Sequence, residues 1–446
     1  MYVTEALAHY AGTLFASPPS EEVLHYGKRA VVDWFASTFA GLIVASVPML
    51  ERVLADDLDR GTAMLLRGRA ATPRAAALIH GAAAHAAEVD DSFRDAMYHP
   101  GAATVAAALA AAQQAGASGL RFLHGVIVGY EVSTRIGVAL GRSHYQYWHS
   151  SGTVGTLGAA SAAGTVLSLG EAGHAHALAT AATFAAGLQQ AFRLDSMSKP
   201  LHTGRAAEAG LLAAQLAAEG VTGGMDVFEG ERGLGAAMSD EVNWSHIAAT
   251  LGREFHIARL TVKNHVGCGH TFAAVDAALE LRRMYGFAIE DIRSVSVETY
   301  RTAIEIACHE APATSNEARF SMRYVVASAL VHGSLRQQAY SLQHLSDPVT
   351  RALMTRMLVS VDLKLDTAFP SERSARVAVV LHDGTRHVYL QRHRRGDPEL
   401  PLSDEQLNVK FVELVSPVVG VAHAQTLLKQ LWELERRPDV AGLGCA

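Results

Sequence analysis

Apolar residues recur every three or four positions along the first 255 residues of the chain, which is the spacing of one face of an α-helix. Alanine and glycine fill many of these positions, so neighbouring helices can approach one another closely. Glycine-rich segments at 219–224 and 229–235 read as loops, and their glycines do not follow a phosphate-binding pattern. The pattern predicts successive helices, which include Ser20–Ala45, Ala75–Ala87, Thr104–Gln114 and Leu120–Leu140.

The period changes after about residue 255, where several short segments alternate between apolar and polar residues as half-buried β-strands do. The last two flank His382-Asp-Gly-Thr385 and predict a β-hairpin. The strand-like segments are Ile292–Thr299, Leu358–Leu365, Arg376–Leu381 and Arg386–Leu390. Helical patterns at Thr271–Tyr285 and Arg319–His332 lie between them. A capping-box sequence at Ser403–Gln406 then predicts a return to helix.

These periods predict a mainly α fold made of two domains. Both chain ends, residues 1–255 and 401–446, form a large all-helical domain, and residues 256–400 form a smaller inserted α+β lid domain. A cleft between two such domains is the usual place for a small-ligand site. The sequence shows no internal repeats.

Composition narrows the class of protein. With 38 Lys+Arg against 44 Asp+Glu, the net charge of -6 argues against a nucleic-acid-binding protein. The segment 143–192 is apolar, but its small residues and histidines favour buried helices over a membrane span. The three cysteines include no Cys-x-x-Cys pair, which disfavours a disulfide framework or a thiolate zinc site. The N-terminus lacks a signal-peptide pattern, and we expect a cytoplasmic globular protein.

Lysine is scarce in this chain, with 6 lysines against 32 arginines. The base composition of the gene explains such a bias equally well. A lysine that survives is a candidate for a role that arginine cannot fill, because lysine can lose its proton. Lys199 and Lys263 are two of the six, and both lie in segments that are unusual for other reasons.

Lys199, His202 and Arg205 form a cationic group that we expect just ahead of an alanine-rich helix, where an anion would be attracted. The alternative is that this segment only starts the helix. Lys263 precedes His265, Cys268 and His270 in a loop of small residues at the expected domain junction. A Cys/His nucleophile pair is possible in this loop but weakly indicated.

Two further segments carry candidate residues. In the first, Tyr145 and His149 precede Ser150 and Ser151 at a hydroxyl-rich helix start, which suggests a carboxylate pocket. The alternative reading of His149 is a satisfied core histidine.

The second segment, His85–Gly101, places Glu88, Asp90, Asp91 and His99 between two alanine-rich helices. These acids could instead be solvated loop residues. No His-x-Asp or His-x-Glu pair of the kind that binds iron occurs there, and we expect no metal site.

Taken together, these segments resemble the MmgE/PrpD family, which includes 2-methylcitrate dehydratase, cis-aconitate decarboxylase and iminodisuccinate epimerase. The resemblance spans nearly the whole chain and depends on the order and spacing of several short motifs. The motifs are Asp90-Asp91 with His99-Pro-Gly101, Gly129-Tyr-Glu131, His149-Ser-Ser-Gly-Thr-Val-Gly155, Lys199-Pro-Leu-His-Thr-Gly-Arg205, Lys263 with Cys268-Gly-His-Thr271, and Glu317-Ala-Arg-Phe-Ser321.

The resemblance implies a helical domain with an α+β lid, a homodimer and no obligatory cofactor. It also implies site residues, which at the matching positions are Asp91, Ser92, His99, His149, Lys199 and Lys263. The sequence departs from the decarboxylase pattern in two residues, with Glu88 in place of an aspartate and Cys268 in place of a histidine. The loop before His99 is also one residue longer. These departures argue against decarboxylation.

The reactions of such a family share one problem, since a carbon next to a carboxylate must lose a proton or carbon dioxide and leave a stabilised negative charge. We expect Lys263, Lys199, His149, Tyr145, His99 and Asp91 to be catalytic. We expect substrate binding by Ser92, Ser150, Ser151, His202, Arg205, Cys268 and His270. Burial is expected to lower the pKa of the lysines, so that Lys199 or Lys263 acts as the base or as a partner that changes between its neutral and cationic forms.

The predicted function is therefore cofactor-independent proton abstraction from a small di- or tricarboxylate, and epimerisation of the iminodisuccinate type is favoured over dehydration of the 2-methylcitrate type. Three alternatives stay open: a metal-dependent hydratase, a non-catalytic protein that binds carboxylates, and a hydrophobic scaffold. Neither a nucleic acid nor a membrane is an expected partner.

Overall fold

The computed structural model describes residues 1–13, 19–192 and 196–445. The chain divides into two compact units, one formed by Met1–Val262 with Ser403–Ala446 and the other by Lys263–Leu402. The sequence-based boundaries lie at 255/256 and 400/401, whereas the units change at 262/263 and 402/403. The fold is mainly α, as predicted.

The first unit consists mostly of helices, and the helices predicted at its N-terminal end are confirmed with shifted ends. One antiparallel pair of short strands, β1 and β2, was not predicted because β1 is mostly exposed and does not alternate. The elements are α1 (Val3–Thr13), α2 (Glu21–Gly41), α3 (Ser46–Val53), β1 (Leu58–Met64), β2 (Ala70–Ala71), α4 (Pro73–Ala86), α5 (Pro100–Ala115), α6 (Gly119–Tyr147), α7 (Ser150–Val166), α8 (Glu171–Phe184), α9 (Lys199–Ala218) and α10 (Leu234–Met238).

The close approach of helices that the small residues predict is confirmed between α7 and α9. Every residue of α7 is buried. A Cβ atom added at Gly210 of α9 would lie 2.4 Å from the Cβ of Ala159 and 2.6 Å from the carbonyl oxygen of Thr156. Only glycine fits at this crossing, so the position sets the distance between two helices whose first residues carry site candidates.

The second unit combines a four-stranded sheet with helices. The sheet order is β4-β3-β5-β6, with β3 and β4 parallel and the other neighbours antiparallel. The elements are α11 (Phe272–Tyr285), β3 (Ile292–Thr299), α12 (Arg301–Ile306), α13 (Ser315–Arg319), α14 (Met322–His332), α15 (Leu342–Leu345), α16 (Pro348–Thr355), β4 (Met357–Val361), α17 (Leu363–Ala368), β5 (Ala375–Leu381) and β6 (Arg386–Gln391).

The strand predicted over Leu358–Leu365 is wrong in its second half. The strand β4 ends at Val361, and Asp362 then accepts hydrogen bonds from the backbone N–H groups of Lys364 and Leu365. This side chain caps the first turn of α17, and a cap of this kind outweighs the alternating pattern. The predicted hairpin between β5 and β6 is confirmed.

The chain returns to the first unit with α18 (Asp404–Val419) and α19 (Val421–Trp432). The predicted capping box is present, because the Ser403 hydroxyl accepts from the Gln406 N–H and the Gln406 side chain accepts from the Ser403 N–H. Helix α18 packs against α2. Across the described residues no helix alone has the length and apolarity of a membrane span, and only the sharply bent pair α2 and α3 passes that test jointly.

Candidate active site

Four histidines of the first unit lie side by side, and we call His85, His99, His149 and His202 the histidine cluster. The ring centre of His85 is 4.8 Å from that of His99 and 5.5 Å from that of His149. The ring centres of His149 and His202 are 5.3 Å apart. These residues come from the end of α4, the starts of α5 and α7, and the first turn of α9.

The N-termini of three long helices meet at the histidine cluster. His99 and His149 immediately precede α5 and α7, and Lys199 is the first residue of α9. The backbone N–H of His99 donates to the Ser151 hydroxyl at 3.1 Å, which joins the starts of α5 and α7. Helix N-termini carry unpaired N–H groups and partial positive charge, so this arrangement favours an anion.

An aspartate fixes the orientation of His85. Its Nδ1 lies 2.7 Å from Oδ2 of Asp90 in the fully buried interior. The Nδ1 of His99 lies 2.7 Å from the backbone carbonyl oxygen of Asp91 and 3.4 Å from the same Asp90 oxygen. Burial lowers the pKa of His85 to about 4, even though the Asp90 charge favours its protonated form. His85 is therefore neutral at pH 7 and donates from Nδ1 to Asp90.

His85, Asp90 and His99 also form the one set of potential metal ligands found among the described residues, with their donor atoms all within 4.8 Å of one another. No short sequence motif indicates this set, because four residues lie between His85 and Asp90 and eight lie between Asp90 and His99. Both Nδ1 atoms already have oxygen acceptors. These hydrogen bonds already account for the close approach of the three side chains.

Lys199 forms an ion pair with Glu88, whose backbone lies in the left-handed region at φ 59°. Burial acts to lower the pKa of Lys199, but the Glu88 carboxylate outweighs burial and the net pKa is raised. The net shift is therefore opposite to the lowered pKa that burial alone predicts. Lys199 is therefore protonated in the resting site, and the strained backbone of Glu88 is the kind found at functional sites.

His149 has the opposite protonation state. Burial, followed by the positive charges that His85 and Lys199 would place beside it, holds its pKa well below 6.5. Its Nδ1 lies 3.1 Å from Nδ1 of His202, and its backbone N–H donates to the carbonyl of Gly187 at 2.9 Å. The site thus holds a neutral imidazole and a protonated lysine close together.

Asp91 lies beneath the cluster and is protonated at neutral pH, because burial and then the charge of Asp33 raise its pKa to about 8. It accepts hydrogen bonds from the Tyr130 hydroxyl at 2.8 Å and the Gly101 N–H at 3.1 Å. A Cβ atom at Gly101 would lie 2.7 Å from Asp91 Oδ1 and 2.6 Å from the Tyr130 hydroxyl. Glycine is required here so that the start of α5 can donate to this carboxyl group.

A fully buried ion pair supports the loop that carries these acids. Lys410 of α18 lies 2.5 Å from Oδ1 of Asp33 of α2 and donates to the backbone carbonyl of Val89 at 2.9 Å. Val89 stands between Glu88 and Asp90, so the C-terminal part of the chain anchors the loop from below. Lys410 is 0% exposed.

The remaining candidates of the first unit differ in their surroundings. Ser92 is buried and exchanges two backbone hydrogen bonds of 2.9 Å with Thr261. Ser150 and Ser151 are buried at the start of α7, and Tyr145 is half-buried in the electrostatic field of Lys199.

Arg205 lies at the protein surface. It pairs with Glu208 and its side chain is 58% exposed. Together with His202 it lines a surface depression of about 560 Å³. The cationic group Lys199, His202 and Arg205 lies within the first two turns of α9 and not ahead of the helix as predicted.

The other three candidates belong to the second unit. Lys263 is its first residue, and the loop that follows is held by internal contacts. The N–H of Cys268, itself buried, donates to the Arg319 carbonyl at 3.2 Å. His270 Nδ1 lies 2.8 Å from the Tyr300 hydroxyl, and burial together with nearby arginines holds the His270 pKa well below 6.5.

His85, Tyr130, Asp33 and Lys410 were not identified from the sequence as parts of the site, whereas Asp90 was named among the acids of the loop without a specific role. Two signals were present: Lys410 is one of six lysines in an arginine-rich chain, and Tyr130 lies inside the Gly129-Tyr-Glu131 motif. His85 looked like an ordinary residue of an alanine-rich helix. Its role depends on Asp90, five residues later and beyond the end of that helix.

Two protein-family models match most of the chain. The family model described as MmgE/PrpD N-terminal domain matches residues 5–247, and the one described as MmgE/PrpD C-terminal domain matches residues 265–434. The chain is 26% identical to the cis-aconitate decarboxylase-like protein oryM of Aspergillus oryzae, over 99% of this chain and 96% of that protein. It is also similar to cis-aconitate decarboxylases of Aspergillus terreus (26% identical, 99% and 95% covered) and Mus musculus (25% identical, 99% and 92% covered).

Proposed function

The chain belongs to the MmgE/PrpD family, and on this premise we propose that it is an enzyme that abstracts a proton from a carbon next to a carboxylate of a small di- or tricarboxylate. Within that class we propose epimerisation of the iminodisuccinate type. The observation that carries the proposal is the close placement of a neutral imidazole, His149, and a protonated amine, Lys199, at the N-termini of three helices.

The charges of the site suit a substrate with several carboxylates. Lys199 and the partial positive charge at the starts of α5, α7 and α9 act in a region from which water is largely excluded. The same groups would stabilise the enolate that forms when the neighbouring carbon loses its proton. Because Asp91 is neutral at pH 7, it does not repel an anionic substrate.

His149 is the proposed base. Its resting pKa is too low for an efficient base at neutral pH. A bound dianion raises the pKa of an adjacent imidazole by favouring its charged form. Substrate binding would therefore move His149 towards the working range, and the proton taken from the carbon would reside on its ring.

Epimerisation requires an acid that returns a proton to the opposite face of the same carbon. Lys199 fits this role, because Glu88 keeps it protonated. In the proposed reaction His149 gains the substrate proton and Lys199 gives one up. A later transfer between the two restores the enzyme. Of the two roles expected for Lys199, a base or a partner that changes between its neutral and cationic forms, the proposal uses the second.

A second reaction, decarboxylation of a cis-aconitate-type substrate, is favoured by the names of the curated relatives. The same cationic groups would stabilise the carbanion left by loss of carbon dioxide. We place it second because Glu88 and Cys268 depart from the decarboxylase pattern. Dehydration of a hydroxy acid would use the same base with an acid at the leaving hydroxyl group.

Proton spectroscopy in deuterated water distinguishes these reactions. We would incubate the purified protein, without added metal, with iminodisuccinate, cis-aconitate, 2-methylcitrate and related acids. Deuterium entering next to a carboxylate with inversion supports epimerisation, release of carbon dioxide indicates decarboxylation, and olefin signals indicate dehydration. The absence of exchange, carbon dioxide and olefin with every acid would overturn the proposal.

Two matched lysine variants test whether the observed reaction depends on this site. Lys199→Met should lose turnover, since it removes the proposed acid and the principal cation. Lys429→Met, at an exposed position of α19, should behave like the unmodified protein. Equal activity of the two variants would exclude Lys199 from the reaction.

A further inference from the structure

We propose that His85, oriented by Asp90, is a proton-relay residue of this site that receives the substrate proton from His149 and returns it during turnover. The inference rests on the proposed function, because it requires that a proton be taken from the substrate. It extends that function to a residue that the family resemblance did not single out. In this proposal His85 does not touch the substrate. It acts only through His149, and it is therefore a positioning residue and not a catalytic one.

The hydrogen bond to Asp90 defines the tautomer of His85. Oδ2 of Asp90 lies 2.7 Å from Nδ1 of His85. A carboxylate oxygen only accepts, so Nδ1 carries the hydrogen and Nε2 carries a lone pair. The ring therefore presents a proton acceptor on the side opposite Asp90.

That acceptor is buried and has no hydrogen-bond partner among the residues the structure describes. The His85 side chain is 0% exposed. A buried polar atom left without a partner destabilises the folded state, and native proteins retain few of them. A position that receives a proton in the reaction explains why this one is kept.

The neighbours of His85 are the residues that the reaction needs. Its ring centre lies 5.5 Å from that of His149, and the two rings are inclined by only 32°. Because Nε2 of His85 makes no hydrogen bond to His149, the proposed transfer runs across one water molecule between the two rings. His99 packs against the same ring at 4.8 Å.

The surroundings of His85 both favour and disfavour its protonated form, which suits a residue that holds a proton only briefly. Asp90 favours the imidazolium form, whereas burial, Lys199 and His99 disfavour it. A carboxylate bonded to Nδ1 is the device that orients an imidazole base and stabilises its charged form in serine hydrolases. In the relay, the proton moves from His149 to Nε2 of His85 and later returns, and no other bond forms or breaks.

Two variants test the relay, with a control on the same helix. His85→Gln removes the acceptor. Asp90→Asn retains the shape but removes the charge. His80→Gln is the control, because His80 is also a fully buried histidine of α4 whose pKa burial lowers to about 4, and it accepts a bond from the Leu66 N–H outside the cluster.

We expect kcat for deuterium exchange to fall roughly 100-fold in His85→Gln, with KM changing much less. In Asp90→Asn, loss of the carboxylate destabilises the imidazolium, so the acid limb of the kcat profile should move to lower pH. His80→Gln should keep the original profile. A purely structural role would alter stability and leave that limb in place.

Nitrogen-15 spectra of histidine-labelled protein give a readout independent of turnover. We expect His85 to carry its hydrogen on Nδ1, and we expect malonate, used as the probe anion, to promote protonation of Nε2. Normal kcat and an unchanged pH profile in His85→Gln would overturn the relay while leaving the proposed function intact. A hydrogen on Nε2 in the ligand-free protein would overturn it as well. If the unmodified protein exchanged no acid, the proposed function itself would fail, and the relay with it.

Discussion

The buried ion pair between Lys410 and Asp33 yields a quantitative prediction for Lys410→Met. Methionine has nearly the shape of lysine, so the substitution removes a charge and creates little cavity. Both side chains are at most 1% exposed, and their charged atoms are 2.5 Å apart. Removing one partner of such a pair leaves an uncompensated charge in the core, which costs about 3–5 kcal/mol. The hydrogen bond to the Val89 carbonyl is also lost.

Urea unfolding of the full chain, followed by circular dichroism, measures this cost. The direction in which this free-energy cost changes with pH distinguishes the loss of the ion pair from a loss of packing. Without Lys410, burial raises the folded-state pKa of Asp33 above its unfolded value, so the folded variant binds the extra proton. The stability deficit of the variant should therefore be largest near pH 8 and shrink as the pH falls towards 5.

A second substitution supplies the control. Asp33→Asn combined with Lys410→Met removes both charges and should recover most of the lost stability, because no isolated charge stays buried. The reasoning would be refuted by a deficit below about 1 kcal/mol. A deficit of full size that is the same at pH 5 and pH 8 would refute it equally.

The remaining predictions concern the site. In Glu88→Gln the pKa of Lys199 should fall, because the carboxylate that keeps it raised is gone, and the alkaline limb of the kcat profile should move to lower pH. Gly101→Ala should reduce turnover and lower the Tm, because its Cβ would lie 2.7 Å from Asp91 Oδ1; an unchanged Tm and rate would contradict the close contact. Asp91 has a folded-state pKa of about 8, above its unfolded value, so wild-type stability should fall as the pH rises from about 4 to 8, and urea unfolding of Asp91→Asn should lack that slope. Dialysis against EDTA should leave turnover unchanged, and a loss restored by added metal would show that the His85, Asp90 and His99 set binds a metal ion.

Much of the secondary structure could be predicted from the sequence because it depends on local periodicity. The helices of the first unit, the hairpin of the second and the capping box at Ser403 all follow from side chains within a few residues of one another. The exception at Leu358–Leu365 is also local, since a single aspartate cap converted the expected strand into a helix. The sequence alone likewise pointed to His99, His149 and Lys199 as site residues.

Only the tertiary structure decided what these residues do. His85, Glu88, His149 and Lys199 are brought together from three segments, and Lys410 supports them from more than 200 residues away in sequence. The protonation state of each residue depends on its burial and on the charges beside it. These effects raise the pKa of Lys199, contrary to the expectation from burial, and keep His149 neutral. A sequence determines which groups can carry a proton. Which of them does so depends on a competition between desolvation and neighbouring charges that exists only once the chain has packed.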